Sequence, residues 1–536
     1  MRSPSPAGDA DPTFSFRTRQ ELLNQLSERE FDLLVVGGGI TGAAIAHLAA
    51  RRGLRVALVE KGDFASGTSS RSSRLIHGGL RYLQHGQVGI VYHSLREQLV
   101  LAQTAPHLVR RQSFLLPVYR GSPVPPWMIS LLVAVYHGLR PRRSGLAYEH
   151  LTPRATLHLE GLLRQDGLLG ALLYHEFATH DARLVLETVL AARAEGAATL
   201  NYIGLVDFLV GGGRVVGGVL RDQLTRQVVD VRAKAVVNAA GPWSDALVRT
   251  LDPKRHRLRL TKGVHIILPH HRLPLSVGVN LFSPRDGRAF MARPAGNLVF
   301  VGPTETDYED DPAAVTAEPV DRDYLLQTIN AYFPAARISS ADVVGMTAGL
   351  RPLYDRPGRA AGEVSRSYEI VWGPEGLLSV LGGKLTLHRL AAQEAVRFLE
   401  PRFGHGPMSP NGAAPLLPGG RWDQPAEWIA VQLRASGVTP ETIEHLMVTY
   451  GGRSAALPEM LRDHPEWGEP LVPGLPHIWA EIPFAREWEM AVQPEDYLLR
   501  RSDLALMAAA AGRALPETIG PLWESLSGRV PVRQST

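Results

Sequence analysis

FDLLVVGGGITGAAIAHLAARRGLRVALVEKGD, residues 31–63, is the stretch of sequence that decides the fold. Phe31–Val36 is an apolar run of strand length, Ile40–Arg52 is rich in alanine with helical spacing, and Arg55–Glu60 is a second apolar run. A strand, a helix and a second strand in this order form a βαβ unit, which requires a parallel sheet covered by helices. The stretch therefore predicts an α/β fold.

The turn after the first strand reads GGGITG (37–42) and matches the G-x-G-x-x-G fingerprint of dinucleotide-binding proteins. Gly37 permits a tight turn, Gly39 lets a pyrophosphate approach the backbone, and Gly42 lets helix and strand pack closely. The helix N-terminus favours the phosphates. Glu60, 18 residues after Gly42, is placed to accept hydrogen bonds from a ribose, and its carboxylate would repel a 2′-phosphate. The fingerprint thus predicts FAD or NAD rather than NADP.

Three later stretches favour FAD over NAD. Small hydroxyl residues follow the second strand in GTSSRSS (67–73) and suit a ligand that continues past its pyrophosphate. NAAGPW (238–243) follows a predicted strand, and GGK (382–384) joins a strand to a helix far along the chain. A cofactor domain assembled from separated segments is the pattern we associate with FAD.

Composition limits the class of protein. The 536 residues exceed the roughly 250–300 at which one core stops growing, so two or three domains are expected. The absence of cysteine excludes disulfides, iron–sulfur clusters and Cys-ligated zinc. A net charge of +4 without a basic tract gives no reason to expect nucleic-acid binding, and the histidines show no spacing typical of a metal site.

Pro- and Gly-rich stretches and the order of predicted elements give the domain organisation. We expect an N-terminal extension at 1–30, with 1–16 disordered and a short helix after them, an oxidoreductase domain at 31–400, a linker at 401–422 and a helical C-terminal domain at 423–536, which includes a helix at Tyr497–Ala511. Within 31–400, the cofactor-binding segments are placed at about 31–120, 171–262 and 345–400, and the substrate-domain segments at about 121–170 and 263–344.

The motifs resemble those of the FAD-dependent, quinone-linked glycerol-3-phosphate dehydrogenases. The resemblance is strong from about 31 to 400 and weaker in the C-terminal domain. IHGGLRYL together with GGKLT is much more specific than the fingerprint, which many flavoproteins share. The matching runs include VVGGGITGAAIA, TSSRSSRLIHGGLRYL, NAAGPW, KGVHIILP, GPTETDYEDDP, GLRPLYD and LLSVLGGKLTLHRLA.

The resemblance implies an FAD-binding, Rossmann-like domain of the glutathione-reductase and amino-acid-oxidase type, a mixed-sheet substrate domain and a helical C-terminal domain. It implies oxidation of sn-glycerol 3-phosphate to dihydroxyacetone phosphate by hydride transfer to flavin N5, with electrons passed to a membrane quinone. The residues expected to contact FAD are Gly37, Gly39, Ile40, Thr41, Gly42, Glu60, Lys61, Thr68, Ser69, Ser70, Ser72, Ser73, His77, Gly78, Gly79, Leu80, Gly241, Trp243, Gly349, Gly383, Lys384, Leu385 and Thr386.

The substrate phosphate needs several cations, because a dianion taken from water loses its hydration. Arg81, Arg351, Arg366 and Lys384 are the candidate cations, and Tyr82 is a further hydrogen-bond donor. An amino acid carboxylate would need only one arginine, so this surplus favours a phosphorylated substrate. Lys384 is one of only five lysines in the chain, which suggests that a compact ammonium is required there.

For the base that removes the hydroxyl proton we choose His265, since imidazole titrates near neutrality; His77 is the second choice. Arg351 and Lys384 complete the predicted catalytic set, because a cation near the flavin stabilises the anionic reduced ring. No metal is expected.

WMISLLVAVYHGL, Trp127–Leu139, is the longest apolar helical stretch and is followed by Arg140, Arg142 and Arg143. It is too short to span a bilayer, and two interpretations remain open: a helix in the membrane interface or a buried helix. The N-terminus lacks the apolar core of a secretory signal. We therefore expect a cytoplasmic protein, which the interfacial interpretation would place on the inner face of the cell membrane. A homodimer is a separate expectation that these segments do not decide.

Two alternative functions remain. One is an oxygen-using oxidase of glycerophosphate or of an amine or amino acid within the same superfamily. The other is a non-catalytic flavin-binding or RNA-associated protein, for which a basic face with interleaved aromatics would be needed and is not seen.

Overall fold

The computed structural model describes residues 14–122, 124–141, 145–254, 257–355, 367–403 and 414–526. The strands are β1 Phe31–Val36, β2 Val56–Val59, β3 Leu75–Ile76, β4 Arg110–Tyr119, β5 Glu149–Leu151, β6 Leu168–Ala178, β7 Ala198–Leu200, β8 Ile203–Gly211, β9 Arg214–Asp222, β10 Val228–Asn238, β11 Leu258–Pro269, β12 Gly278–Phe282, β13 Ala289–Ala295, β14 Leu298–Gly302, β15 Thr306–Tyr308, β16 Gly345–Tyr354, β17 Tyr368–Trp372 and β18 Leu378–Gly382. The α-helices are α1 Arg19–Glu28, α2 Ile40–Arg51, α3 Val88–Thr104, α4 Pro126–Gly138, α5 Pro153–Leu159, α6 Asp181–Ala194, α7 Ser244–Arg249, α8 Pro319–Tyr332, α9 His388–Phe403, α10 Ala426–Ala435, α11 Pro440–Tyr450, α12 Leu457–Asp463, α13 Glu481–Trp488, α14 Pro494–Asp496, α15 Leu504–Ala510 and α16 Ile519–Ser525.

The first sheet has the strand order β17-β18-β10-β1-β2-β7, with β8 and β9 joined to β10. β1 lies parallel to both β10 and β2, and all six of its residues are buried. Strands buried on both faces read as continuous apolar runs, which explains why this unit is visible in the sequence. α2 packs against α6 and α9 beside this sheet. The predicted βαβ unit is present.

The second sheet has the order β15-β11-β14-β13-β12-β4-β6-β3, with β16 on β11 and β5 on β6. β3, β4, β16 and most of β6 fall in segments that the sequence assigned to the cofactor domain, whereas the structure places these strands in the second sheet. Strand periodicity shows which face of a strand is buried but not which sheet it joins, since partners lie far away in sequence.

The remaining described residues are largely helical. Helices α10–α16 form two apolar clusters, one around Leu446 and Phe484 and another around Tyr497 and Leu504. Of the predicted linker 401–422, residues 404–413 lie outside the described residues, and Gly419 and Gly420 are buried.

Two local expectations were wrong. Residues 14–16, expected to be disordered, are ordered, because Phe14 is fully buried in the core of the first domain and Ser15 donates a hydrogen bond to Glu487. The single helix predicted over Tyr497–Ala511 is a π-helical turn at Tyr497–Arg501 followed by a break and then α15. The break carries Asp503, which pairs with Arg74.

Candidate active site

A cleft of about 460 Å³ runs along the carboxyl ends of β1, β10 and β18. These three strands are parallel neighbours, so the turns that follow them meet at one edge of the sheet. Eighteen of the predicted cofactor residues line this cleft: Gly37, Gly39, Ile40, Thr41, Glu60, Lys61, Thr68, Ser69, Ser72, Ser73, His77, Gly241, Trp243, Gly349, Gly383, Lys384, Leu385 and Thr386.

The predicted residues that do not line the cleft are Gly42, Ser70, Gly78, Gly79 and Leu80, of which the last two line an adjoining cavity. A Cβ on Gly42 would lie 1.8 Å from the carbonyl oxygen of Gly37, so Gly42 serves helix packing, and a Cβ on Gly78 would lie 2.2 Å from the Tyr136 hydroxyl. Gly42 and Gly78 thus permit close packing behind the cleft.

The fingerprint turn has the shape that a dinucleotide requires. Gly37 has φ +116°, and a Cβ there would lie 2.4 Å from the carbonyl oxygen of Ala239, whereas the nearest atom to a Cβ on Gly39 is the Ser69 hydroxyl at 3.2 Å. The Glu60 carboxylate accepts from the backbone N–H of Gly38 at 2.7 Å and of Gly62 at 2.9 Å. These residues fit FAD, with the pyrophosphate at the start of α2 and Glu60 at the ribose.

Residues 77–79 are held from the other end of the cleft by the segment before α9. The Lys384 ammonium donates to the carbonyl oxygens of His77 and Gly78 at 2.9 and 3.4 Å. Thr386 Oγ1 lies 3.2 Å from the N–H of His77 and 3.1 Å from its carbonyl oxygen. Gly79 adopts φ +86°. Lys384 therefore supports the loop of residues 77–79 beside the cleft.

A second cavity, of about 160 Å³, adjoins the cleft and shares Ser73, His77, Tyr82 and Arg351 with it. Tyr82 is buried, and its ring lies 5.1 Å from the Lys384 ammonium. The two cavities are therefore adjacent at these shared residues, and a ligand in one cavity would contact a ligand in the other.

Three arginines, Arg81, Arg288 and Arg351, and two carboxylates, Glu176 and Glu305, line this second cavity. Arg81 Nη1 lies 3.7 Å from Glu305 Oε2, and Arg288 donates to the carbonyl oxygen of Glu305. Arg351 Nη2 donates to the carbonyl oxygen of Thr304 at 3.1 Å. The positive charges exceed the negative ones, so the cavity favours an anion. Arg366, the remaining predicted phosphate ligand, lies outside the described residues.

Glycine on β11 makes room for the Arg351 guanidinium. Gly263 faces Gly349 in the β11–β16 register, and a Cβ on Gly263 would lie 2.3 Å from Arg351 Nη2. A larger residue at position 263 would displace the guanidinium.

His265 is 3% exposed and lies two residues beyond Gly263 on β11. Its Nε2 is 2.9 Å from the Ser73 hydroxyl, and Nδ1 has no hydrogen-bond partner among the described residues. Burial, followed by the charges of Arg351, Arg293 and Arg74, lowers the pKa of His265 to about 3. The imidazole is therefore neutral, the form that accepts a proton.

Several residues that line the second cavity were missed by sequence reasoning. Arg288, Asn280 and Tyr174 lie on strands or turns without a chemical motif, and only the sheet order brings them here. Glu305 lies in GPTETDYEDDP, a run that matched the family, and this was the one available signal.

Among the described residues there is no group of His, Asp and Glu that would hold a metal ion. No described helix is long and apolar enough to cross a membrane.

Comparison with known proteins gives matches over most of the chain. A model of the FAD dependent oxidoreductase family matches residues 32–394, and a model of the C-terminal domain of alpha-glycerophosphate oxidase matches residues 413–527. Aerobic glycerol-3-phosphate dehydrogenases of Staphylococcus saprophyticus and of Staphylococcus aureus strain USA300 are each 35% identical to the chain over 499 residues, covering 90% of it and 88% of their own length.

Solved structures agree with these matches. The glycerol-3-phosphate dehydrogenase from Bacillus halodurans, complexed with FAD, has a TM-score of 0.76 and 31% identity and covers 96% of this chain and 97% of its own. An L-alpha-glycerophosphate oxidase from Mycoplasma pneumoniae with FAD bound has a TM-score of 0.58 at 18% identity, covering 74% of this chain and 99% of its own, and shows a shared fold alone. The predicted fold class and the FAD cofactor are confirmed.

Proposed function

The chain belongs to the FAD-dependent glycerol-3-phosphate dehydrogenases, and on that premise we propose that it oxidises sn-glycerol 3-phosphate to dihydroxyacetone phosphate and passes the electrons to a membrane quinone. The observation that carries the proposal is the arginine-lined cavity that shares Arg351 with the FAD cleft. A substrate bound there would have its phosphate among the cations and its carbon chain toward the cleft.

The arginines set the preference for a phosphate. Arg81, Arg288 and Arg351 line one small cavity, and each charge-assisted contact contributes roughly 1.5–3 kcal/mol. A dianion needs this number of partners to offset its lost hydration, whereas an amino acid carboxylate would leave two arginines without an anionic partner from the ligand. This favours glycerol 3-phosphate over the amine substrates of the superfamily. Glu305 supplies an acceptor for a substrate hydroxyl.

The chain's own residues would manage the proton. Bound FAD supplies the acceptor for the hydride that leaves C2. His265 is kept neutral by burial and by the nearby arginines, so it is ready to take the hydroxyl proton but is a weak base. A phosphate dianion beside Arg351 would offset part of that positive field and raise the pKa of His265. The substrate would thus strengthen the base that acts on it.

Helix α4 supports delivery of electrons to a membrane acceptor. Trp127, Leu131 and Val135 form one stripe of the helix and are 65%, 54% and 43% exposed, while Ile129 on the other face lines the second cavity. An exposed apolar stripe this close to the site fits insertion at the boundary between headgroups and acyl chains, which would bring the site near quinones dissolved in the bilayer. Arg140 is buried against His175, and Arg142 and Arg143 lie outside the described residues. The exposed stripe supports our proposal that the protein binds the inner face of the cell membrane.

An anaerobic titration tests the reaction. The flavin absorbance of the unaltered protein should bleach on addition of glycerol 3-phosphate. Arg351→Ala should retain FAD but lose reduction by about 100-fold or more. Arg259→Ala is the matched control, because Arg259 also lies on the β11–β16 pair but bonds Asp307 at the surface. A flavin-loaded protein that does not bleach would refute the proposal, and normal bleaching of Arg351→Ala would refute the site.

The acceptor is tested separately. Under air, a quinone-linked enzyme should release little hydrogen peroxide during turnover and should reduce a soluble quinone instead. Stoichiometric peroxide without quinone reduction would establish the oxygen-using alternative.

A further inference from the structure

Residues 72–74 connect the cofactor cleft to the C-terminal domain. Ser73 carries the hydroxyl that meets His265 Nε2, and Arg74 is bonded to Asp503. We propose that Asp503 is a positioning residue for the oxidation: acting through Arg74, it holds the Ser73 hydroxyl against His265. This inference rests on the proposed function, since it concerns the histidine assigned there as the base.

The Arg74–Asp503 pair has the geometry of a fixed contact. Arg74 Nη1 and Nη2 bond the two carboxylate oxygens of Asp503, each at 2.7 Å, and the Arg74 side chain is 9% exposed. A bidentate arginine–carboxylate pair fixes orientation as well as distance. The pair therefore limits where the backbone at position 74 can lie.

The backbone at Arg74 is one that needs such support. Arg74 has φ +54°, in the left-handed region that a non-glycine residue enters at a cost of about 1–2 kcal/mol. Its carbonyl accepts from Thr179 N–H at 3.0 Å. Relaxation of this residue would rotate the peptide that joins it to Ser73, and the Ser73 hydroxyl would turn away from His265.

The other contacts of residues 72–74 hold different atoms from those that Asp503 holds. Arg293 Nε donates to the Ser73 carbonyl oxygen at 3.1 Å, which holds one end of the peptide that joins Ser73 to Arg74 and leaves its orientation dependent also on the Arg74 side chain. Asp181 accepts from the N–H and hydroxyl of Ser72 at 3.0 and 2.6 Å and lies 3.7 Å from Arg74 Nε. Without Asp503, Asp181 is the remaining acidic partner described for Arg74, and moving toward it would disturb Ser72. The guanidinium also lies 4.8 Å from the Phe300 ring, so it has an apolar neighbour rather than a second acceptor there.

Asp503 lies in the helix break before α15, which the sequence pattern did not predict, and contacts around this break hold it in place. It follows the π-helical turn Tyr497–Arg501 and precedes α15. Arg501 is fully buried, bonds Asp63 and donates to the carbonyl oxygen of Glu489 at 2.9 Å. His180 Nε2 lies 3.3 Å from Asp503 Oδ1. These contacts fix the carboxylate, so the C-terminal domain contributes directly to the order of the active site.

The test begins with Asp503→Asn, which keeps the shape of the side chain and removes its charge. We expect normal FAD content, a KM for glycerol 3-phosphate within about threefold of the unaltered value, and flavin reduction slowed by about 10-fold or more. The KM should hold because Arg81 and Arg351 are untouched. Flavin reduction at the unaltered rate would overturn the inference.

A double variant separates positioning from stability. Arg74→Met with Asp503→Leu removes both charges of the pair, so neither partner is left as an unpaired ion, and part of the thermal stability lost by Asp503→Asn should return. Asp181 loses its arginine neighbour but keeps its two hydrogen bonds from Ser72. The reduction rate should stay low, because neither side chain orients position 74. Recovery of the rate together with stability would show a merely structural pair.

A third comparison asks whether the effect passes through Ser73. In a Ser73→Ala background, Asp503→Asn should slow reduction little further, since residues acting in one chain of contacts are not additive. Full additivity would overturn the inference.

Glu489→Gln is the matched control: it is a buried carboxylate of the same domain that bonds Arg183 and Arg453 at 2.7 Å each rather than residues 72–74. It should lower stability without slowing reduction, and equal slowing would contradict a specific role for Asp503. Failure of the unaltered protein to bleach would instead count against the proposed function.

Discussion

Gly79, in the loop beside the second cavity, has no room for a side chain. Its φ is +86°, and a Cβ there would lie 2.3 Å from the Tyr82 ring. Gly79→Ala should therefore push Tyr82 out of place and slow flavin reduction by about 10-fold or more. Stopped-flow absorbance with glycerol 3-phosphate measures this, with FAD content recorded for each variant.

Gly86 supplies the control for backbone strain. It ends the same helical turn with φ +70°, but no atom lies within 4 Å of its added Cβ. Gly86→Ala should carry only the strain of the left-handed conformation, about 1–2 kcal/mol of stability, and leave the reduction rate unchanged. Equal slowing in both variants would show that strain, and not the position of Tyr82, is responsible.

Residues whose role depends only on their neighbours in sequence could be predicted from the sequence. Gly37 and Gly42 are needed by one turn and the helix it opens, so a short motif records them. Arg288 and Arg293 reach the site only because β13 lies between β12 and β14, and Asp503 only because the C-terminal domain packs against residues 72–74. Contacts that join distant segments leave no local pattern.

At the scale of elements, α4 shows why an apolar helix can be read in two ways. Ile129, Val133 and Tyr136 are buried, while Trp127 and Leu131 face outward. The buried-helix interpretation therefore holds for one face, and the membrane-interface interpretation stays a prediction for the other. A helix that is apolar on every side gives no periodicity from which to choose the buried face.

The outer stripe of α4 is tested by Trp127→Ser combined with Leu131→Ser. Burying a large apolar side chain contributes roughly 1.5–3 kcal/mol, so the double change should weaken binding to anionic phospholipid vesicles by at least 10-fold. Anaerobic bleaching by glycerol 3-phosphate should be unaffected. Vesicle co-sedimentation measures the partition.

Val320→Ser is the matched control for that experiment, because Val320 is 63% exposed on a different helix, α8. It should leave vesicle binding unchanged. Unaltered binding of the α4 double variant would contradict the membrane role assigned to this helix.

Across the whole molecule, the two sheets exchange segments. β4 pairs with β12 and is followed by β6 and β3 in the second sheet, although β2 before them and β7 after them in sequence belong to the first sheet, to which β10 also returns beside β1. The order of elements was sufficient to predict an α/β cofactor domain and a helical end, and the resemblance implied the second sheet, but sheet membership depends on burial of strands from distant segments. The site lies where these units meet, and its cations come from several of them.

Buried histidines predict how stability depends on pH. Burial is the main cause that lowers the pKa of His107, His388 and His477 to about 4, against about 6.5 in an unfolded chain. Between these pH values the unfolded chain binds more protons than the folded one. The contribution of these histidines to the free energy of unfolding is therefore complete above about pH 6.5 and is lost as the pH falls toward 4. Glu97, whose pKa burial raises, opposes this trend in the lower part of the range.

His107→Leu isolates one such contribution. His107 is 4% exposed, and neither ring nitrogen has a hydrogen-bond partner among the described residues, so leucine should leave stability at pH 8 little changed. Each histidine adds at most about 1.4 kcal/mol per pH unit to the slope, and the variant should lose that share between pH 6.5 and 4. The difference in Tm between pH 7.5 and pH 5, followed by flavin release, should therefore be smaller than in the unaltered protein. His271→Leu, at an exposed position, is the control and should keep the original difference in Tm. An unchanged difference in His107→Leu would mean that the protonation of His107 does not differ between the folded and the unfolded state.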